Sequence, residues 1–205
     1  MPKDTFFNLE PKKRKKILNA ARKEFSRTPL DKVKISNIIN HADIPRGSFY
    51  QYFENIDDLF YFFIEEVQLE RESFLLEFAR KEAGDIFDYA KNIFGYEYDL
   101  FTSHNRHNLM MNIFKSMSLN TDYFEKYNER RKQFIIKLLA EIRVDNLRFS
   151  SEKDLLSIFH LIQDHRRSLI HKSTYKIQTK EEIVEQYNWF IDVFKHGILK
   201  EAHDE

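Results

Sequence analysis

The sequence predicts an all-α protein, and three observations predict this fold class. Only four Gly and four Pro occur among 205 residues, which leaves few of the tight turns that β-sandwiches and barrels need. Apolar residues recur at three- and four-residue spacing along most of the chain, as they do in amphipathic helices. The hydrophobic content of 42%, with 20 Phe and 10 Tyr, is ample for a helical core.

The first three helices are expected to be short. Ile17 and Phe25 share one face of a helix over residues 10–27, and a run of five basic residues lies at its start. Ser36 is predicted to cap a second helix. Asp43 then lies at a turn, and Pro45 suits the first position of a third helix.

Longer amphipathic helices are predicted from residue 55 onward. One reaches about residue 82, and three more are marked by apolar residues over 86–101, 109–117 and 123–142. The last two run from about Glu152 to Lys172 and from about Lys180 to Ala202. No repeat, low-complexity linker or convincing strand interrupts this pattern.

Several classes of protein are disfavoured by what the sequence lacks. No run of about 18 apolar residues and no signal-peptide pattern is found, so we predict no membrane segment. The absence of Cys excludes disulfides and thiolate chemistry and favours a cytoplasmic location. No nucleophile elbow, phosphate loop or zinc-protease helix is present, so we predict no catalytic residues, no metal and no cofactor.

Charge is distributed unevenly along the chain. The formal net charge is zero, with 33 basic and 33 acidic residues. Residues 1–53 carry 12 Lys and Arg against 5 Asp and Glu, a net charge of +7, and residues 54–205 carry a net charge of −7. A basic first quarter joined to an acidic remainder suggests that one end binds a polyanion.

The basic region contains a predicted helix-turn-helix. Two short helices are joined by a turn of three or four residues, with the second helix beginning near Arg46. In such a unit the second helix enters the major groove of DNA. Gly47 is small enough to let that helix approach the duplex closely. A small core is expected to fix the angle between the helices, formed by Ile38, Ala42, Ile44 and Phe49.

These residues resemble the TetR family of bacterial transcriptional regulators. The resemblance rests on Ile17-Leu18-Asn19-Ala20-Ala21, Phe25, Ile38, Ala42, Ile44, Gly47, Ser48, Phe49, Tyr50, Tyr52, Phe53 and Leu59. Three positions depart from the usual pattern: Asp43 replaces a Gly, Pro45 replaces a Ser or Thr, and Ile56 replaces a phosphate-binding Lys.

The resemblance implies a three-helix DNA-binding domain over residues 1–54 and a helical effector-binding and dimerisation domain over residues 55–205. It also implies a homodimeric repressor that binds a palindromic operator in double-stranded DNA and is released by a small apolar or aromatic effector. The alternative is a helical small-molecule-binding protein or enzyme whose basic end binds another anion. A basic helix on an anionic membrane surface is a third possibility.

Candidate site residues follow from side-chain chemistry and from the matched positions. Arg46 suits a bidentate contact to guanine and Gln51 a contact to adenine. The other predicted DNA-binding residues are Lys12, Lys13, Lys15, Ser36, Asn37, Gly47, Ser48, Tyr50 and Tyr52. The candidate effector pocket comprises Phe62, Phe94, Tyr98, Phe101, Met110, Phe114, Met117, Tyr127 and Phe134. Apolar stripes on the last two helices predict a dimer interface at Leu155, Phe159, Ile162, Ile183, Tyr187, Phe190, Phe194 and Ile198.

Overall fold

The computed structural model of the chain describes residues 1–82, 84–117, 120–149, 151–173 and 177–198, and this part of the chain is all-α. An isolated bridge between Asp85 and Arg143 is the one β-type pairing among these residues. The helices are α1 (Asp4–Phe7), α2 (Pro11–Arg27), α3 (Ile35–Ala42), α4 (Arg46–Tyr52), α5 (Ile56–Glu82), α6 (Ile86–Thr102), α7 (His104–Met117), α8 (Thr121–Leu139), α9 (Glu152–Ser173) and α10 (Lys180–Ile198). No helix in the described part is long and apolar enough to span a membrane.

The predicted helices are confirmed, but some elements and helix ends differ. The helix that was predicted over 123–142 ends at Leu139, so Ile142 lies beyond it. The short helix α1 and a 3-10 turn at Leu30–Lys32 were not predicted. The last helix was expected to reach Ala202, and the part beyond residue 198 lies outside the described residues. Pro45 is the N-cap of α4 and not its first residue, a shift of one position.

The predicted cap at Ser36 is wrong. α3 begins at Ile35, so its N-cap is Lys34, which makes no side-chain cap hydrogen bond. The backbone N–H of Lys34 instead donates to Glu24 Oε1 at 3.3 Å. A carboxylate from another helix therefore holds the N-cap residue of α3, and Ser36 lies within the first turn of that helix.

Packing divides the chain into two compact units. The first contains residues 1–71 and 104–126, and the second contains residues 72–103 and the chain from 127 onward. α5 contributes residues to both units. In its first half, Leu59, Phe60 and Phe63 are buried. The ring centroids of Phe60 and Phe63 lie 5.1 and 5.3 Å from that of Phe25 of α2. The functional boundary at residues 54 and 55 remains a prediction.

Buried aromatic residues form the core of the second unit. α6, α9 and α10 pack against one another, and the Phe94 ring of α6 stacks on Tyr187 of α10 at 3.9 Å between centroids. The start of α6 is fixed by Asp85, whose carboxylate accepts from the backbone N–H of Phe87 at 2.9 Å and of Asp88 at 3.0 Å. Lys195 of α10 lies 3.0 Å from the same carboxylate, so the cap also links two helices.

In the first unit, a buried carboxylate joins α2 to α3. Glu24 is 2% exposed and accepts hydrogen bonds from Arg27 at 2.6 and 3.0 Å. It also accepts from the Asn37 side chain at 2.9 Å and from the backbone N–H of Lys34. Burial favours protonation of Glu24, but these hydrogen bonds outweigh it and hold its pKa below the ordinary value.

We predict that Glu24→Gln lowers the free energy of unfolding at pH 7 by about 1–3 kcal/mol, because hydrogen bonds to a buried charge are lost. Because the pKa of Glu24 is lower in the folded than in the unfolded state, its ionised carboxylate stabilises the folded protein. This stabilisation is complete above the unfolded-state pKa of about 4.3 and is lost as the pH falls through the folded-state pKa. The difference between wild type and variant should therefore shrink below about pH 4. Urea denaturation at pH 7 and pH 3 measures this difference in the free energy of unfolding.

The matched control is Glu77→Gln. Glu77 is an exposed carboxylate that pairs with Lys81 at 2.5 Å on the surface of α5. Because exposed pairs contribute little, this variant should unfold like the wild type. Equal effects of the two substitutions would contradict a special role for the buried carboxylate.

Candidate nucleic-acid interface

The turn between α3 and α4 has left-handed backbone at one residue. Asp43 has φ 52° and ψ 56°, and it is the one non-glycine residue with positive φ in the described chain. Its N–H donates to Asn40 O at 3.3 Å, and the N–H of Ile44 donates to Ile39 O at 3.1 Å. These two bonds form a Schellman motif, in which Gly is common at the left-handed position and Asp is tolerated. The sequence prediction of a turn at Asp43 is confirmed.

The small core that was predicted to fix the angle of this turn is present. Ile38 and Phe49 have no exposed surface, Ala42 is 1% exposed and Ile44 is 8% exposed. Phe49 enters this core from α4, so the opposite face of that seven-residue helix points away from the protein.

The exposed face of α4 carries the residues that were predicted to contact bases. Arg46, Gly47 and Gln51 are exposed, Tyr50 is 40% exposed, and Ser48 is half-buried. An ideal Cβ at position 47 would meet no atom within 4 Å. The packing of the chain therefore does not require Gly at this position.

The basic cluster at the start of α2 lies beside this helix-turn-helix. Lys12, Lys13 and Lys15 are exposed, and the Lys13 ammonium lies 5.9 Å from the centroid of the Tyr52 ring. Lys16 of the same cluster pairs with Asp43 of the turn at 3.1 Å. Positive charge is thus concentrated next to α4, where it can approach phosphates.

Three predicted phosphate contacts have different surroundings. Ser36 is exposed. Asn37 is half-buried and its side-chain amide donates to Glu24. Tyr52 is 5% exposed, with its ring 6.3 Å from that of Phe6, so packing takes up most of its surface. Their roles in DNA binding remain predictions.

Family models match two segments of the chain. Residues 17–61 match the model described as bacterial regulatory proteins, tetR family. Residues 85–198 match the model of the tetracyclin repressor-like C-terminal domain, which by itself covers more than half of the chain. The chain belongs to the TetR family. It is a DNA-binding transcriptional regulator with a ligand-binding C-terminal domain.

Solved structures of TetR-family proteins have the same fold. Reduced NemR of E. coli is 16% identical, with a TM-score of 0.70, and the match covers 93% of this chain and 100% of NemR. A putative regulator from Mesorhizobium loti is 14% identical, with a TM-score of 0.69 and coverage of 92% and 98%. FadR of Bacillus subtilis in complex with stearoyl-CoA is 12% identical, with a TM-score of 0.59 and coverage of 86% and 96%. Comparison with curated proteins gives no match.

The residues predicted for the TetR-type effector pocket fall in both units. In the first unit, Phe62 packs against Phe6 and Phe7, with ring centroids 5.4 and 5.7 Å apart. Also in this unit, Met117 is buried, Met110 is half-buried and Phe114 is 46% exposed.

In the second unit, Phe94 and Tyr98 are buried, with ring centroids 6.3 Å apart. Phe101 and Phe134 are half-buried and pack against the same apolar cluster, and Tyr127 is half-buried. The structure thus brings Phe94, Tyr98, Phe101 and Phe134 into one cluster. The pocket remains a prediction.

A buried ion pair in the second unit was not predicted. Glu97 of α6 is 2% exposed and pairs with Arg166 of α9, which is 5% exposed. The Arg166 guanidinium lies 5.5 Å from the centroid of the Phe101 ring, and its Nε has no hydrogen-bond partner among the described residues. Helical periodicity in the sequence carries no signal that Glu97 and Arg166 face each other.

The predicted dimer residues differ in how far they are buried within the chain. Leu155, Phe190 and Phe194 are half-buried. The buried members are Phe159 at 6% exposure, Ile162 at 1%, and Ile183 and Tyr187 at 0%. The side chain of Ile198 lies outside the described residues. On the same two helices, the large apolar residues that are exposed are Leu161, Trp189 and Val193, at 55%, 66% and 54%.

We predict that Gly47→Ala raises the stability of α4 and lowers affinity for duplex DNA. Ala is more favourable than Gly inside a helix by about 1 kcal/mol, and the added methyl group meets nothing in the protein. It would, however, occupy space that a close-approaching duplex needs. Thermal melting and gel-shift titration measure the two effects.

Gly95→Ala is the matched control. Gly95 lies inside α6, and a Cβ there also meets no atom within 4 Å. This variant should gain similar helix stability and bind DNA like the wild type. If Gly47→Ala binds DNA as tightly as Gly95→Ala, the duplex does not approach α4 at that point.

Proposed function

We propose that this protein is a cytoplasmic homodimeric repressor, which binds a palindromic operator and leaves it when a small apolar or aromatic effector binds. The observation that carries the proposal is the exposed face of α4, where Arg46, Tyr50 and Gln51 project from a helix whose other face is buried. DNA recognition is assigned to residues 1–54, and effector binding with dimerisation to residues 55–205. No catalytic reaction is assigned.

Four polar residues of α4 have chemical tasks in the major groove. Arg46, at the N-terminal end of the helix, suits guanine O6 and N7, and Gln51 suits adenine N6 and N7. Ser48 and the Tyr50 hydroxyl are available to a base edge or a phosphate. The Lys12, Lys13 and Lys15 ammonium groups supply the sequence-independent attraction to phosphates.

Selection of bound duplexes from a random DNA library tests this proposal, with wild type and Arg46→Ala side by side. The wild type should select a palindrome whose half-sites are about 34–36 Å apart, one helical turn of DNA. Arg46→Ala should weaken binding by about 1–3 kcal/mol and relax the preference at one base pair of each half-site. A gel-shift titration gives the affinity.

Arg167→Ala is the control, since Arg167 is an exposed arginine of α9 that pairs with Asp164. It removes the same charge from the second unit and should leave the selected sequence unchanged. If the library yields no preferred sequence, the proposed function fails. If Arg46→Ala selects the wild-type sequence with wild-type affinity, another residue reads that base.

The apolar surface of α9 and α10 supports a homodimer. Trp189 and Val193 are four residues apart on one face of α10, and Leu161 is exposed on α9, which packs against α10. Large exposed apolar side chains that share one helix face, as Trp189 and Val193 do, mark an interaction surface. A two-fold axis would bring the same pair of helices from both subunits into a four-helix contact.

We predict that Trp189→Glu together with Val193→Glu gives a monomer that stays folded and binds the operator weakly. Both side chains are exposed in the subunit, so charge at these positions does not disturb its core. Each monomer would hold a single half-site. Sedimentation measures the association, and circular dichroism checks the helix content.

A matched pair of charges at Met111 and Phe114 serves as the control. These residues of α7 are exposed to a similar degree, at 55% and 46%, but they lie on another helix. Met111→Glu with Phe114→Glu should remain dimeric. A dimer that survives the substitutions in α10 places the interface elsewhere.

Features of the second unit support effector binding. Phe94, Tyr98, Phe101 and Phe134 offer an apolar cluster beside Arg166, whose Nε–H is without a partner in the described chain. FadR of Bacillus subtilis, which has a similar fold, was crystallised with stearoyl-CoA. An apolar ligand with a hydrogen-bond acceptor matches this combination of side chains.

Contacts between α7 and the end of α2 offer a way for effector binding to release the protein from DNA. The Asn112 side chain donates to Phe25 O at 2.9 Å, and Ser116 Oγ accepts from the backbone N–H of Leu30 at 3.1 Å. α7 follows α6 directly in the chain. An effector that favours a different position of α7 would therefore also move α2 and the helices that pack on it, and so lower DNA affinity by linkage.

A further inference from the structure

The segment before α2 lies against the C-terminal end of α4. Residues 1–9 precede the basic cluster, and the family model that matches the helix-turn-helix begins only at residue 17. In the structure, α1 packs against α4. The segment Lys3–Phe6 supplies the contacts that carry the inference.

The last four backbone carbonyls of α4 all have hydrogen-bond donors. Helices leave these four groups without partners inside the helix. The carbonyl of Phe49 accepts from the N–H of Phe53 at 2.9 Å. The Tyr50 carbonyl accepts from Lys3 Nζ at 2.9 Å, the Gln51 carbonyl from Thr5 Oγ1, and the Tyr52 carbonyl from Lys3 N at 2.8 Å. Three of the four donors thus come from two residues about 46 positions earlier in the chain.

Phe6 holds this segment in place. Its side chain is 1% exposed, and its ring centroid is 4.9 Å from Phe53, 5.4 Å from Phe62 and 6.3 Å from Tyr52. Lys3 and Thr5 themselves are exposed. The anchor and the donors are therefore separate residues, so the donors can be removed while the anchor stays.

We propose that Lys3 and Thr5 are positioning residues for DNA recognition, which cap the C-terminal end of the reading helix α4. This inference rests on the proposed function of that helix. The carbonyls that they hold belong to Tyr50 and Gln51, whose side chains are assigned to DNA, and to the adjacent Tyr52. The ammonium group of Lys3 also interacts favourably with the negative end of the helix dipole.

The length of α4 explains why such a cap matters. A helix of seven residues is far below the length at which isolated helices are stable, so its last turn depends on outside contacts. If the last turn were frayed, it would have to become ordered when DNA binds, and the free-energy cost of that ordering would lower the affinity. Nonspecific attraction to phosphates needs no fixed side-chain geometry and would not bear this cost.

The full-length double variant Lys3→Met/Thr5→Val tests the proposal. Its affinity for the duplex that the wild type selects should fall about tenfold, as two net hydrogen bonds are lost. Its affinity for an unrelated duplex of equal length, and the slope of log affinity against log salt, should stay at wild-type values. Without DNA, peptides that cover residues 46–53 should exchange their amide hydrogens faster.

Two further variants distinguish capping of α4 from direct contact with DNA. Thr5→Ser retains the hydroxyl donor and should behave like the wild type. The triple variant Lys12→Met/Lys13→Met/Lys15→Met should bind both duplexes more weakly and reduce the salt slope, because it removes phosphate contacts.

The proposal is overturned if the double variant lowers affinity for both duplexes and reduces the salt slope, since Lys3 then contacts phosphates itself. It is also overturned if exchange in residues 46–53 does not change. If the wild type selects no duplex, the proposed function fails, and the exchange measurement, made without DNA, still decides whether Lys3 and Thr5 cap α4.

Discussion

The shortness of α4 is the constraint on which the DNA-binding surface depends. Seven residues form two turns of helix and do not hold together in water without support. Support comes at the start from the left-handed turn at Asp43, and in the middle from Phe49, which is fully buried. At the other end it comes from Lys3 and Thr5. The geometry of Arg46 and its neighbours is thus a property of the surrounding structure more than of the helix itself.

The first unit places its polar contacts where helices meet. The Glu24 carboxylate joins α2 to the start of α3, and Asn112 joins α7 to the last carbonyls of α2. Each of these bonds satisfies a backbone or side-chain group that would otherwise be buried or left at a helix end without a partner. The same contacts that stabilise the unit therefore fix the orientation of α2, α3 and α7 relative to one another.

The second unit combines an aromatic core with a buried ion pair. Replacing such a pair by apolar residues often stabilises a protein, so Glu97 and Arg166 are not explained by stability alone. Arg166 lies 5.5 Å from the centroid of the Phe101 ring, and we propose that it takes part in recognising a ligand. Trp189 and Val193 on α10 are exposed apolar residues of the same unit, and we propose that they contact a second subunit.

The sequence by itself determined the helical fold, the helix-turn-helix and the family. Local patterns carry this information: apolar periodicity marks the helices, and Asp43 marks the turn because few residue types adopt left-handed backbone. The core residues Ile38, Ala42, Ile44 and Phe49 could be read in the same way, because their spacing follows from two helices meeting at a turn.

Only the tertiary structure decided which distant groups meet. Local rules favoured Ser36 as the N-cap of α3, but the N-cap is Lys34, whose backbone N–H donates to Glu24 of another helix. Lys3 and Thr5 reach α4 across more than forty residues of chain, and Arg166 meets Glu97 between two helices. Helical periodicity says which face of a helix is apolar, but it does not say which other segment that face will meet. For that reason the spacing of Tyr187 did not indicate that its ring is fully buried and stacks on Phe94 of α6.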